Sequence, residues 1–277
     1  MESENDIQFY YQYVLQLVKE AGQVLLEARD INIETKDNKT WDLVTQYDRK
    51  IEDILIKQIK NKFPDHKFIG EEECSIAGRK PILTDDPTWI IDPIDGTANF
   101  VRSFPITCIS VGLTINKIQT IGIIFNPYMN ELFTAIKGKG AYLNGRRIST
   151  SQQSEISKSV MNYELSLAKN HELRELYMKR FKNLMTAIQG IRSLGCAALG
   201  LCYVALGTTD IYQCDGLQPW DAAAGVLIVR EAGGYVCDSS KTFLGQEFDL
   251  MNPNFLAAST KKLAMQVIDI ERLADNK

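Results

Sequence analysis

At 277 residues with 45% hydrophobic side chains, the chain is long enough for one large or two small domains and can bury a substantial core. Its net charge of -4 gives no basic field for nucleic acid, and no apolar run approaches the roughly 20 residues that cross a bilayer, so a cytoplasmic protein with neither nucleic-acid nor membrane partners is expected. Two histidines, His66 and His171, are too few for a multi-histidine zinc site and leave little for a Ser-His-Asp triad, while six cysteines without paired-ligand spacing fit free thiols in a reducing compartment. Both histidines stand among polar neighbours and are expected at the surface. Carboxylates and hydroxyls remain for chemistry.

From Ile7 to about Arg29, apolar residues recur with helical spacing at Tyr11, Val14, Leu15, Val18, Ala21, Leu25 and Leu26. The polar stretch Glu34 to Thr40 reads as a solvated loop, with attraction of a phosphate by its lysines as the alternative. Asp42-Leu43-Val44-Thr45 leads into a second helix with Ile51, Ile54 and Leu55 inward. Asp48 falls in its first turn, where capping alone would account for it. Lys67 to Gly70 is a short strand that delivers Glu71-Glu72-Glu73. Three acids in a row usually form a solvated turn, but the first can project from a sheet edge.

Trp89-Ile90-Ile91 is the aromatic and β-branched run of a buried strand, from whose end Asp92 emerges. Pro93 lacks a backbone donor, so the sheet ladder is expected to stop and the chain to turn. Gly96 permits an unusual backbone conformation, and Thr97 opens a short helix. Asp92 and Asp95 thus offer oxygens to a cation beside N–H groups free for an anion.

Cys108 to Ile115, Thr120 to Phe125 and Leu132 to Ile136, separated by turn signals such as Asn126-Pro127 and Asn144-Gly145, predict an antiparallel meander. The polar stretch Ser149 to Ser159 divides residues 1–150 from 151–277, two halves expected to form one unit. Strands at Val160 to Asn162 and Ala187 to Ile191 flank a helix from about His171 to Leu184. A buried helix (Ala197 to Leu206), a strand (Ile211 to Cys214) and a helix starting at Pro219-Trp220-Asp221 and running to Glu231 follow. Tyr235 to Cys237 and Phe255 to Ala258 are the last strands, and Lys261 to Leu273 is a closing helix. The alternation predicts an α/β or α+β layered protein. Asp221, in a first helical turn, can be a dipole-stabilised acid or a partner of Asp92 and Asp95.

The segments Gly70-Glu71-Glu72, Asp92-Pro93-Ile94-Asp95-Gly96-Thr97 and Trp220-Asp221-Ala222-Ala223-Ala224-Gly225 closely resemble the signatures of the inositol monophosphatase family, and the resemblance extends to Gly190-Ile191-Arg192-Ser193 and Glu231-Ala232-Gly233-Gly234. It implies an αβαβα sandwich of the inositol monophosphatase and fructose-1,6-bisphosphatase type, usually a homodimer, that hydrolyses phosphomonoesters with Mg²⁺ and is inhibited by lithium. By the same resemblance, Glu71, Asp92 and the Ile94 carbonyl would hold one Mg²⁺ and Asp92, Asp95 and Asp221 a second, with a third reached from Glu71 through water and Mn²⁺ as a substitute. Glu71 and Thr97 would position and deprotonate the attacking water, Asp48 would orient Thr97, and the amides of Gly96 and Thr97 would hold phosphate. Asp95, Ala197, Cys214 and Asp221 would face the substrate. Magnesium's preference for hard oxygen ligands agrees with such a set. The rival haloacid-dehalogenase pattern places its two aspartates two apart, whereas Asp92 and Asp95 are three apart, which favours an activated water over an aspartyl-phosphate.

Three positions depart from the family pattern. Cys214 stands where inositol-specific relatives carry a glutamate, and a thiol is a weak acceptor; it is either a packing residue or a change in substrate preference. Asp215 next door would substitute only if its side chain did not point to the opposite face. Ala98 replaces a hydroxyl residue, and the run Glu71-Glu72-Glu73 leaves Glu72 as the alternative ligand. The expected substrate is inositol monophosphate. Other sugar phosphates, fructose bisphosphate, a phosphoadenosine nucleotide, or a binding role in a catalytically weak paralogue are the alternatives.

Overall fold

The computed structural model describes residues 2–36, 43–78, 81–164, 171 and 174–275. Asp42 and the loop residues Asp37 to Thr40 lie outside them, as do residues 172–173 near the start of the expected helix at His171. In chain order, α1 (Glu4–Leu26) precedes β1 (Ile33–Thr35), β2 (Leu43–Thr45) and α2 (Gln46–Lys62). Then come β3 (Lys67–Gly70), α3 (Glu71–Ala77), β4 (Thr88–Asp95) and the single turn α4 (Thr97–Phe100). The meander comprises β5 (Cys108–Ile115), β6 (Ile118–Asn126), β7 (Glu131–Ile136), β8 (Gly140–Leu143) and β9 (Arg146–Ile148). The remainder is β10 (Val160–Tyr163), α5 (Arg174–Ala187), β11 (Gly190–Arg192), α6 (Ala197–Leu206), β12 (Ile211–Cys214), α7 (Pro219–Glu231), β13 (Tyr235–Asp238), β14 (Phe255–Ala258) and α8 (Lys261–Asp275).

Two large sheets organise the chain, one ordered β3-β4-β5-β6-β7-β8-β9 and one ordered β11-β10-β12-β14-β13. Strand side chains alternate between faces, and three apolar clusters show what each face covers. Val14, Val18, Ile51 and Leu55 of α1 and α2 pack on Trp89, Ile91, Val111 and Ile123. On the opposite face Ile90, Ile124 and Phe133 meet α6 and α7, which in turn cover Tyr212, Phe255 and Ala257 of the smaller sheet. The far side of that sheet, with Met161, Ile211 and Leu256, is closed by Leu263, Val267 and Ile268 of α8. The layers are therefore helix, sheet, helix, sheet, helix, as the resemblance implied.

Pro93 does not end the ladder. β4 stays paired with β5 from Thr88↔Thr114 to Asp92↔Ser110 and again at Asp95↔Cys108, with one extra residue on β4 between the last two pairs. Pro93 falls inside this bulge, where its missing N–H removes no ladder bond. In a regular strand residues three apart face opposite sides. The bulge lets Asp92 and Asp95 open on one cavity.

Two other expectations are corrected. His66 is buried, accepting a hydrogen bond at Nδ1 from Trp89 Nε1 at 3.0 Å and stacking on Phe63 with ring centroids 5.0 Å apart. The apolar surroundings come from Tyr10, Phe63 and Trp89 on other segments, and burial holds its pKa below the ordinary value. His171 is exposed. Ala187 ends α5 and does not start a strand, because the helical repeat Tyr177, Arg180, Leu184 continues to it; the strand is confined to Gly190–Arg192.

Candidate active site

Asp92, Asp95 and Asp221 bring carboxylate oxygens within 4.8 Å of one another. They border an open cavity of about 220 Å³ that is also lined by Leu43, Glu71, Ile94, Gly96, Thr97, Ala98 and Gly195. Asp221 arrives from the second half of the chain, on α7. Pro219 supplies a preset first helical residue, and the Asp221 carboxylate accepts from Gln218 N–H at 2.6 Å, so this acid both caps α7 and faces the cavity. α7 lies hard against the large sheet because Gly112 and Gly122 have no side chain: a Cβ there would stand 2.8 Å from Ala223 Cβ and 2.7 Å from the Ala224 carbonyl oxygen. Gln119 Nε2 donates to the Ala223 carbonyl at 2.6 Å and holds the same contact.

Glu71 is the first residue of α3 and lines the cavity, whereas Glu72 is buried outside its lining. Both accept from Lys36 Nζ, at 2.7 and 2.6 Å, so this lysine is an ion-paired, nearly buried group and not part of a solvated loop. Glu52 of α2 caps α3 by accepting from the amides of Glu72 and Glu73 at 2.9 and 2.8 Å, which fixes the direction in which Glu71 leaves the sheet. Neither Lys36 nor Glu52 was visible from sequence. Glu52 sits among Ile51 and Leu55 on an inward helical face, and a charged residue in that register was the available signal.

Asp48 is bonded on two sides. Its Oδ2 accepts from the amide and hydroxyl of Thr45, at 2.7 and 2.5 Å, capping α2. Its Oδ1 lies 3.2 Å from Thr97 Oγ1, whose proton can go there or to the Ile94 carbonyl at 2.9 Å. Gly96, at φ 82°, sets up the turn into α4; the left-handed backbone and the Ile106 carbonyl 2.9 Å from a notional Cβ both require glycine.

Asp95 Oδ2 accepts from Ala198 N–H at 2.5 Å and lies 3.2 Å from Cys196 Sγ. The turn that presents these groups is gripped from two sides. Glu164 accepts from Ser193 Oγ at 3.0 Å and from the amides of Leu194 and Gly195 at 3.2 Å, while Asn99 Nδ2 donates to the carbonyls of Ile106 and Leu194 at 2.7 and 2.8 Å. Ala197, at the first position of α6, and Cys214, at the end of β12, are buried and do not line the cavity. The Cys214 thiol is pushed up by burial and then by the charges of Glu164 and Asp215.

Burial, followed by the neighbouring acids, holds Asp92 and Asp221 well above the ordinary carboxylate range. Asp95 is raised by burial against the opposing Ala198 amide. Burial likewise pushes Asp48 and Glu52 up to about 7. Hard oxygen donors crowded until they resist ionisation are matched by a divalent cation, which restores the charged forms.

The model of the inositol monophosphatase family matches residues 6–273. The chain belongs to the inositol monophosphatase family. It is 42% identical to inositol monophosphatase 1 of Bos taurus over 94% of this chain and 95% of that one, and 41% identical to inositol monophosphatase 1 of Solanum lycopersicum over 93% and 92%. Among solved structures it is similar to extragenic suppressor protein suhB of Bartonella henselae, with TM-score 0.83 and 31% identity over 94% and 97% of the two chains. The inositol monophosphatase from Anabaena superposes with TM-score 0.82 at 30% identity, over 97% of each. As a member of this family the chain is a phosphatase. Among the described residues no helix is long and apolar enough to cross a membrane.

Proposed function

We propose that the chain hydrolyses a small phosphomonoester, first of all inositol monophosphate, with Mg²⁺ held by the cavity's acids. The observation that carries this reading is the convergence of Asp92, Asp95 and Asp221 from β4 and α7 on one cavity with Glu71 at its rim. Glu71, Asp92 and the Ile94 carbonyl would hold one ion and Asp92, Asp95 and Asp221 another. Bound there, Mg²⁺ supplies the positive charge that phosphoryl oxygens need and makes a nearby water more acidic. Thr97 orients that water through its hydroxyl and passes a proton toward Asp48, whose affinity for protons is raised by burial. Glu71 is the second acceptor for the water's protons, and the amides of Gly96 and Thr97 face the phosphate. A catalytically weak binding role is disfavoured by the intact acid set.

Family resemblance supports inositol monophosphate as substrate, and one structural relative at 25% identity is described as inositol monophosphate bound. Lithium inhibition and a homodimer follow from the same resemblance. The deciding measurement is phosphate release from a panel of inositol, fructose and phosphoadenosine phosphates, with and without Mg²⁺. Release is expected to stop after chelation, with a fall in thermal stability as the acids lose their cation. Hydrolysis that survives chelation overturns the reading.

A further inference from the structure

Behind Asp95 lies a second set of donors with softer chemistry. Cys108 at the start of β5 and Cys196 just before α6 are both buried, with sulfurs 3.7 Å apart. Cys196 Sγ stands 3.2 Å from Asp95 Oδ2, and one donor atom from each of the three residues falls within 4.8 Å of the others. A tetrahedral ion holding two thiolates at about 2.3 Å keeps the sulfurs ~3.8 Å apart, and a carboxylate oxygen at about 2.0 Å stands ~3.5 Å from either sulfur. The observed separations fit that geometry with little movement. They are far longer than the ~2.05 Å of a disulfide. Asp95 also lines the open cavity, which provides an entry route.

We propose that Asp95, Cys108 and Cys196 form a binding site for one thiophilic divalent cation of the Zn²⁺ class. Thiolates select such ions over Mg²⁺. On binding, two S–H bonds break, their protons pass to solvent, and two sulfur–metal bonds form with no electron transfer; a cavity water completes the coordination. The site itself is independent of the function proposed above. Its consequence rests on that reading: Asp95 belongs to both sites, so the thiophilic ion opposes Mg²⁺ and inhibits hydrolysis.

The test uses the whole chain, kept reduced with a phosphine and free of Mg²⁺, titrated with Cd²⁺ while the thiolate-to-Cd²⁺ charge-transfer band is followed in the ultraviolet. One equivalent is expected to saturate the band. Cys108→Ala should weaken binding by more than ~10-fold, since loss of a group that merely supports a ligand already costs about that much. Cys196→Ser, which keeps a hydroxyl donor toward Asp95, should do the same, and thermal melts report whether each variant is folded. With Mg²⁺ and substrate present, Zn²⁺ should inhibit the wild type at concentrations more than ~10-fold below those needed for Cys108→Ala. No band in the wild type, or an equal band in both folded variants, means packed thiols only and overturns the proposal. Failure of all phosphatase activity with the band intact defeats the functional reading alone; activity without the band defeats this inference alone.

Discussion

Two buried groups of acids in this molecule have opposite solutions to the same electrostatic problem. Behind the smaller sheet, Asp215, Glu271 and Asp275 surround Arg180, which is fully buried: its Nε and Nη2 donate to Asp275 at 2.9 and 2.6 Å, its Nη1 donates to the Ser239 carbonyl at 2.9 Å, and Glu271 and Asp215 stand 3.5 and 4.0 Å away. In the cavity, Asp92, Asp95 and Asp221 have no cation of the chain paired with them among the described ion pairs, in which Lys36 pairs with Glu71 and Glu72. A resident guanidinium makes the first cluster a fixed joint between α5, α8 and the strand ends. The second opens to solvent, where a cation from outside can reach its oxygens.

The contrast is broken most severely at Arg180. Arg180→Met leaves the buried Asp215 and Glu271 and the partly buried Asp275 without their cation and is expected to cost about 3–5 kcal/mol of folding stability. Equilibrium unfolding in urea reads this directly, and a loss below 1 kcal/mol would mean that the cluster contributes no net cohesion. Asp92→Asn should behave in the opposite way. It removes an acid whose charged form burial and its neighbours disfavour, so the metal-free protein should be no less stable, while turnover falls by about 100-fold or more through lost electrostatic stabilisation. Phosphate release and a thermal melt on the same sample separate the two effects.

Most of the layering was legible because the relevant signals are local. The buried run from Trp89 to Ile91, the meander punctuated by Asn-Pro and Asn-Gly, and Pro219 opening a helix each place an element without reference to its partner. Local signals alone left Glu71 in a solvated turn and Asp221 as a dipole-stabilised helix-start acid; the family resemblance singled them out. The bulge at Pro93 was not legible, because it depends on register with Ser110 and Cys108, which are distant in sequence but adjacent across the ladder. His66, Lys36 and Arg180 were missed likewise, since polar neighbours in sequence say nothing about aromatic rings, acids or helices delivered by other segments.

A pH dependence distinguishes the clusters more gently. Burial pushes Glu271 up to about 8 against the opposing charge of Arg180, from an ordinary 4.5. Between those values the folded chain keeps a proton that the unfolded chain has released. Its contribution to stability is therefore complete below 4.5 and is lost as pH rises through about 8. Asp48 and Glu52 act in the same direction with values near 7, so the share of Glu271 is most visible between pH 7 and 8. Glu271→Gln should flatten the fall of melting temperature across that interval, and an unchanged slope would assign the titration elsewhere.

The smallest effect is expected where the two clusters meet. β12 ends at Cys214, whose thiol feels Glu164 and Asp221, and the next residue, Asp215, turns into the Arg180 cluster, accepting from Tyr177 Oη at 3.0 Å and from Ser239 Oγ. Asp215 is thus committed to the structural side and cannot stand in for the glutamate that inositol-specific relatives carry one residue earlier. Cys214→Glu puts a carboxylate at the end of β12, beside an Asp215 that stays bonded to Tyr177 and Ser239. It should raise the preference for inositol monophosphate over other phosphomonoesters by about 10-fold, the worth of one added hydrogen bond of roughly 1.4 kcal/mol. Competing-substrate assays on the two proteins measure this ratio free of differences in active fraction. An identical ratio in both would mean that Cys214 is a packing residue, and that selection among substrates belongs to the cavity's own rim.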